Sequence, residues 1–177
     1  MKYLITIHLL FFFLLSNAQS FVDYTDSVNH FKIYIPQGWK YGVPKQYPTI
    51  KLIAYRPPAS SSDTSKDNFN LGILDVPNSN LENVYTRFLS SIKSAGNFLM
   101  IAEGDTVINN KNFKWLIETH QENKAGNQLH NYDFVTYQNN KAYILTFVTF
   151  SNRFEMLKPI YLTIIGHFIL MPLVQLP

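Results

Sequence analysis

The 177 residues carry 15 Lys and Arg against 12 Asp and Glu, no cysteine, and 46% hydrophobic side chains. Without cysteine there is no disulfide, no thiolate metal site and no thiol catalysis. A formal net charge of +3, scattered along the chain, falls short of the clustered Lys and Arg that nucleic-acid binding needs.

Lys2 precedes an apolar run over residues 4–15 that includes Phe11, Phe12 and Phe13. The run is too short to span a bilayer as a helix, which takes about 20 apolar residues. Ser16-Asn17-Ala18 then puts small residues where signal peptidase reads them, before Gln19. These features predict a cleaved signal peptide over residues 1–18, hence an exported periplasmic or extracellular protein. No cysteine stands at the cut to carry a lipid, so no stable membrane anchor is expected after cleavage. The remainder is sized for a single domain, residues 19–170, with a tail over 171–177.

Residues 21–25 make a short first strand. In 31–35, Phe31, Ile33 and Ile35 share one face at period two, and Pro36 stops the ladder. Residues 37–40 turn the chain, and Ile50–Tyr55 form the next strand, closed by Pro57-Pro58. Residues 59–68 are polar and serine-rich, lack apolar residues to order them, and read as a mobile surface loop. A strand follows over 69–76.

Asn78, Ser79 and Asn80 offer N-caps to a helix whose apolar stripe runs Leu81, Val84, Tyr85, Phe88, Leu89, Ile92. Gly96 is placed to close it in a left-handed cap. A meander of antiparallel strands follows: 98–108, 113–118, 129–137 and 141–150, with turns at Asn109-Asn110, Lys124-Ala125-Gly126 and Asn139-Asn140. The strand over 141–150 is apolar on both faces, the mark of a central position covered on each side. Pro159 falls in the last apolar run. The first turn tolerates proline best, so the final helix is expected over 159–165 after a turn at 153–158. Gly166 ends it, and residues 167–170 extend.

An aromatic strand leading into Pro36-x-Gly38-Trp39, a long middle helix, a three-strand meander and a closing helix before Gly166-His167-Phe168 together resemble the PsbP-like superfamily. The resemblance implies an α+β fold, an antiparallel sheet with helices on both faces (an α/β/α sandwich). It also implies a non-catalytic role, since relatives act as extrinsic subunits, envelope proteins or partner-binding domains. The expectation is an exported accessory domain of the bacterial cell envelope that holds an envelope protein or a small ligand and uses no cofactor.

The sequence carries no nucleophile elbow, no His-Glu-x-x-His, no glycine-rich phosphate loop and no calcium loop. One constellation bears chemistry. Glu118, His120 and Glu122 alternate on one strand face. A turn pairing 124 with 127 would set Asn131 opposite His120 and Asp133 opposite Glu118. Glu118, His120 and Asp133 would then form a divalent-metal site, supporting a metal-dependent enzyme or metal-binding protein. Alternatively, they form a wet sheet end whose acids Lys114 or Lys124 balances. Trp115 alternates with Phe113 and Ile117 and reads as core. Trp39, Tyr41, Tyr47 and Tyr55 make a tyrosine-rich rim of the kind that grips partners. His30, His130 and His167 stand alone and read as structural.

Overall fold

The computed structural model describes residues 19–121 and 126–172. The signal segment 1–18, Glu122, the Lys124-Ala125 part of the hairpin turn and residues 173–177 of the tail lie outside the described residues.

Seven antiparallel strands form the main sheet in the order β3-β4-β5-β9-β8-β7-β6. They are β3 (Lys40–Gly42), β4 (Ile50–Tyr55), β5 (Asn68–Asp75), β6 (Gly96–Ile108), β7 (Lys111–Gln121), β8 (Gln128–Gln138) and β9 (Lys141–Phe150). A second sheet joins β1 (Phe21–Asp26), β2 (Phe31–Pro36) and β10 (Ile169–Leu170), with β2 in the middle. One helix, α1 (Leu81–Ile92), packs on one face of the main sheet, against Leu116, Val135 and Ala142. The other, α2 (Phe154–Gly166), and the small sheet cover the opposite face. The architecture is α+β, with helices on both faces of an antiparallel sheet.

Each element follows from local chemistry. Asn80 sits in the extended region, and its side chain accepts from the Asn83 backbone N–H at 2.9 Å, capping α1. The helix does not close on glycine as expected. Lys93 caps it in right-handed geometry, Gly96 opens β6, and Asn97 takes the positive φ of 53°. The hairpins turn on asparagine pairs: Asn109 and Asn110 at φ 49° and 61°, Asn139 and Asn140 at 53° and 61°. Asparagine tolerates this region, and paired positive φ matches the twist of the flanking strands. As the two-faced apolar pattern required, β9 is fourth of seven strands.

Two further expectations change. The closing helix begins at Phe154, five residues before Pro159, and is preceded by a 3₁₀ turn at Ser151–Arg153. Phe154, Leu157, Tyr161 and Ile164 recur at helical spacing and are buried, while Pro159 and Glu155 face solvent. Water can therefore satisfy the Glu155 carbonyl that the proline leaves without a donor. The serine-rich loop is pinned by charge rather than by apolar packing. Arg56 reaches Asp63 at 2.9 Å and Asp67 at 2.7 Å, and also donates to Ser65. Asp67, buried to 1% exposure, further accepts from Arg153 at 2.6 Å and Thr149 at 2.7 Å. A polar loop thus gains the fixed ends that its composition alone does not supply.

Candidate functional site

The tyrosine-rich rim lies at the β3 edge of the main sheet. Gly38 takes a φ of 87° and turns the chain out of β2 and into β3, a strand too short for periodicity to reveal. Of the four rim residues, Trp39 is the buried one. It is 9% exposed and packs in the main core against Phe69, ring centroids 6.2 Å apart. Around it Tyr41, Tyr47 and Tyr55 are 51%, 59% and 42% exposed. The register Lys40↔Tyr55, Tyr41↔Ala54 splits them. Tyr41 shares the face of buried Ala54 and meets Tyr24 edge-on at 5.7 Å, whereas Tyr55 belongs to the α1 side. A cleft of about 500 Å³ wraps this edge, lined by Trp39, Tyr41, Val43, Pro44, Ile53 and Tyr55 among others. Tyr47 does not line it. Sequence reasoning missed Val43 and Ile53, because a three-residue strand gives no alternation to place them.

The acidic constellation lies on the α1 face of β7, β8 and β9. The hairpin register is offset by two residues from that expected. Glu118 stands opposite Asn131, Leu116 opposite Asp133, and His120 opposite Leu129. A shift of two preserves the face, so Glu118 and Asp133 become diagonal neighbours rather than a direct pair. Both are 1% exposed, so the wet sheet end is also wrong. Lys114 does not balance them; its ammonium pairs with Glu82 at 2.8 Å and Asp105 at 3.2 Å.

Partners differ across the cluster. His120 Nδ1 sits 3.0 and 3.1 Å from the two Glu118 oxygens, and the Asn131 amide also donates to Glu118. Burial still pushes the Glu118 carboxyl above its usual range. Asp133 accepts from the Thr146 hydroxyl at 2.6 Å through Oδ1, while Oδ2 has no hydrogen-bond partner among the described residues. Burial, with the Glu118 charge adding to it, pushes the Asp133 carboxyl up to about 8 despite the Thr146 bond. Thr146, which sequence reasoning did not single out, faces Asp133 directly across β8 and β9. Among the described residues no three His, Asp or Glu side chains are grouped to hold a metal ion.

The remaining sequence candidates are packing elements. His130 stacks on Phe154 with centroids 3.7 Å apart, and burial holds its pKa below the usual imidazole value. His167 stacks on Tyr34 at 3.9 Å. His30 takes a φ of 56°, and its carbonyl accepts from the Met171 N–H at 2.8 Å, tying β10 to β2. Trp115 is partly buried against the main core, in edge contact with Tyr132.

No protein-family model and no curated protein matches the chain. Solved structures do match in fold. Cyanobacterial PsbP from Synechocystis superposes with a TM-score of 0.66 at 15% identity, over 88% of this chain and 95% of that one. PA94 from Pseudomonas aeruginosa, a protein of unknown function, gives 0.58 at 16% identity, over 89% and 98%. LpqN from Mycobacterium tuberculosis, described as involved in cell envelope biogenesis, gives 0.56 at 11% identity, over 89% and 88%. The fold is therefore PsbP-like, as the order of elements in the sequence implied.

Proposed function

We propose that this chain is an exported, non-catalytic binding domain of the bacterial cell envelope, holding its partner through the aromatic β3 edge. The observation that carries the reading is the exposure of Tyr41, Tyr47 and Tyr55, together with Val43 at 57%, around one short edge strand. Tyrosine brings large, stiff contact area with a hydroxyl at its tip, which suits a partner better than it suits water. Among the described residues lining the cleft, Lys40 alone carries a formal charge, so the lining favours gripping over acid–base chemistry. Export is supported by the charged start, apolar run and small-residue cut site of residues 1–18. The PsbP-like fold, shared with the envelope-associated LpqN, is in keeping with it.

A photo-crosslinking residue at Tyr41 tests the reading in intact cells. A discrete crosslinked envelope product is expected there and none from Thr86 on the outer face of α1. Tyr41→Ala with Tyr55→Ala should reduce co-purification of that product at least fivefold, the lower end of hot-spot losses. Equal recovery from the double variant overturns the proposal.

The rival, a metal-dependent enzyme or metal-binding protein built on Glu118, His120 and Asp133, has one observation in its favour: the buried Asp133 Oδ2, without a hydrogen-bond partner among the described residues. Against it, His120 already occupies both Glu118 oxygens. A melting temperature raised by millimolar zinc or calcium would decide for the metal.

A further inference from the structure

The face of the main sheet that carries α1 is only partly covered. The helix rests on β8 and β7, and beside it a groove of about 290 Å³ runs between α1 and the β5–β9 strands. Leu74, Ala142 and Ile144 make its floor, Val84 and Phe88 its wall, and Arg87 its rim. Ser91, which also borders it, spends its hydroxyl on the Phe88 carbonyl at 2.7 Å. A polar ligand placed here would therefore lose hydrogen bonds to water and regain few. Arg87 is exposed and, among the described residues, makes no ion pair or hydrogen bond. Asp75, at the end of β5, is held by Lys141 at 2.6 Å. The rim thus offers an unspent positive charge above an apolar trough.

We propose that this groove binds a single alkyl chain ending in a carboxylate, the chain lying on Leu74, Ala142 and Ile144 and the head at Arg87. The volume stands at the small end of ligand cavities, roughly 300–1,000 Å³, which fits one short chain better than a two-chain lipid. The site shares no lining residue with the aromatic cleft and stands or falls independently of it.

The test uses the isotopically labelled mature protein with decanoate and decyltrimethylammonium below their micelle concentrations and decanol below its solubility limit. Decanoate should shift the resonances of Val84, Phe88 and Ile144. It should bind roughly fivefold more tightly than the cationic chain, the range of one partly exposed ion pair. Arg87→Gln, at an exposed helix position, should erase that difference while leaving decanol binding unchanged. Ser91→Trp, placing bulk over the trough, should weaken all three, with circular dichroism confirming that both variants fold. Equal affinity for the two charged heads overturns the proposal. So does an absence of shifts at millimolar decanoate, or shifts centred on Tyr41 and Tyr55. Tyr41→Ala should leave decanoate binding as it is, so failure of the aromatic-edge reading would be seen separately.

Discussion

The indole of Trp115 lies across Gly104 on the neighbouring strand: a methyl group placed at residue 104 falls 2.9 Å from Cζ2 and 3.0 Å from Cε2 of the ring. The two residues are direct cross-strand partners, so the missing side chain of one makes room for the ring of the other. Gly104→Ala should force Trp115 to move, with a net loss of about 1–2 kcal/mol once the lower unfolded-state entropy of alanine is counted. Urea unfolding followed by tryptophan fluorescence checks it; an unchanged midpoint contradicts the packing.

Asp67 is the anchor of the serine-rich loop. Burial pushes its carboxyl up, but hydrogen bonds from Arg153, Thr149 and Arg56 outweigh that and hold it below the usual carboxylate range. A group whose pKa is lower folded than unfolded stabilises the fold above its unfolded pKa of about 3.9, and loses that contribution as pH falls through the folded value. Asp67→Ala leaves Arg56 and Arg153 without their buried counter-charge, and about 3 kcal/mol should be lost at pH 7. The wild type should lose stability below about pH 4 by a step that the variant lacks. Limited proteolysis should cut the variant first within residues 57–66.

Asp133 behaves in the opposite sense. Burial pushes its carboxyl up to about 8 in the folded state, well above the unfolded value of about 3.9. The folded state therefore holds the extra proton between these limits, and stability falls as pH rises from about 4 to 8. Asp133→Asn removes the titrating group and should be more stable than wild type at pH 8, on the order of 1–3 kcal/mol, with a smaller gain at pH 5. Denaturant midpoints at the two pH values check this. A wild-type profile as flat as the variant's would mean that the carboxyl is hydrated.

The turn at Asn110 gives a fourth test. With φ at 61°, Asn110→Ala should cost about 1 kcal/mol and Asn110→Gly should be neutral or stabilising. Thermal melts of the pair decide it; equal melting temperatures would contradict the left-handed turn.

What could be read in advance was periodic, and what could not was pairwise. The stripe Leu81–Val84–Phe88 and the alternation of residues 141–150 each point to one structure, because a whole run must agree on it. The asparagine turns were legible because few other residues accept their backbone. The register of β7 on β8 depended on a turn only two residues in doubt, and that shift moved Asp133 from Glu118 to Leu116. Pro159 misled because local propensity favours a helix start there. The buried face of Phe154 and Leu157, visible only once the sheet is in place, extends the helix past it. The sequence leaves Trp39 open for a similar reason: a tryptophan after a turn glycine looks the same whether the core behind it is filled or empty.

The main sheet is stitched at its middle by residues far apart in sequence, with Asn68 beside Val148 and Asp75 beside Lys141. A chain emerging from the ribosome completes β5 long before its neighbour β9 exists. Until residue 150 has been made, one flank of β5 stays unmatched and sticky. Translation that stalls within β6 to β8 should therefore yield products prone to self-association.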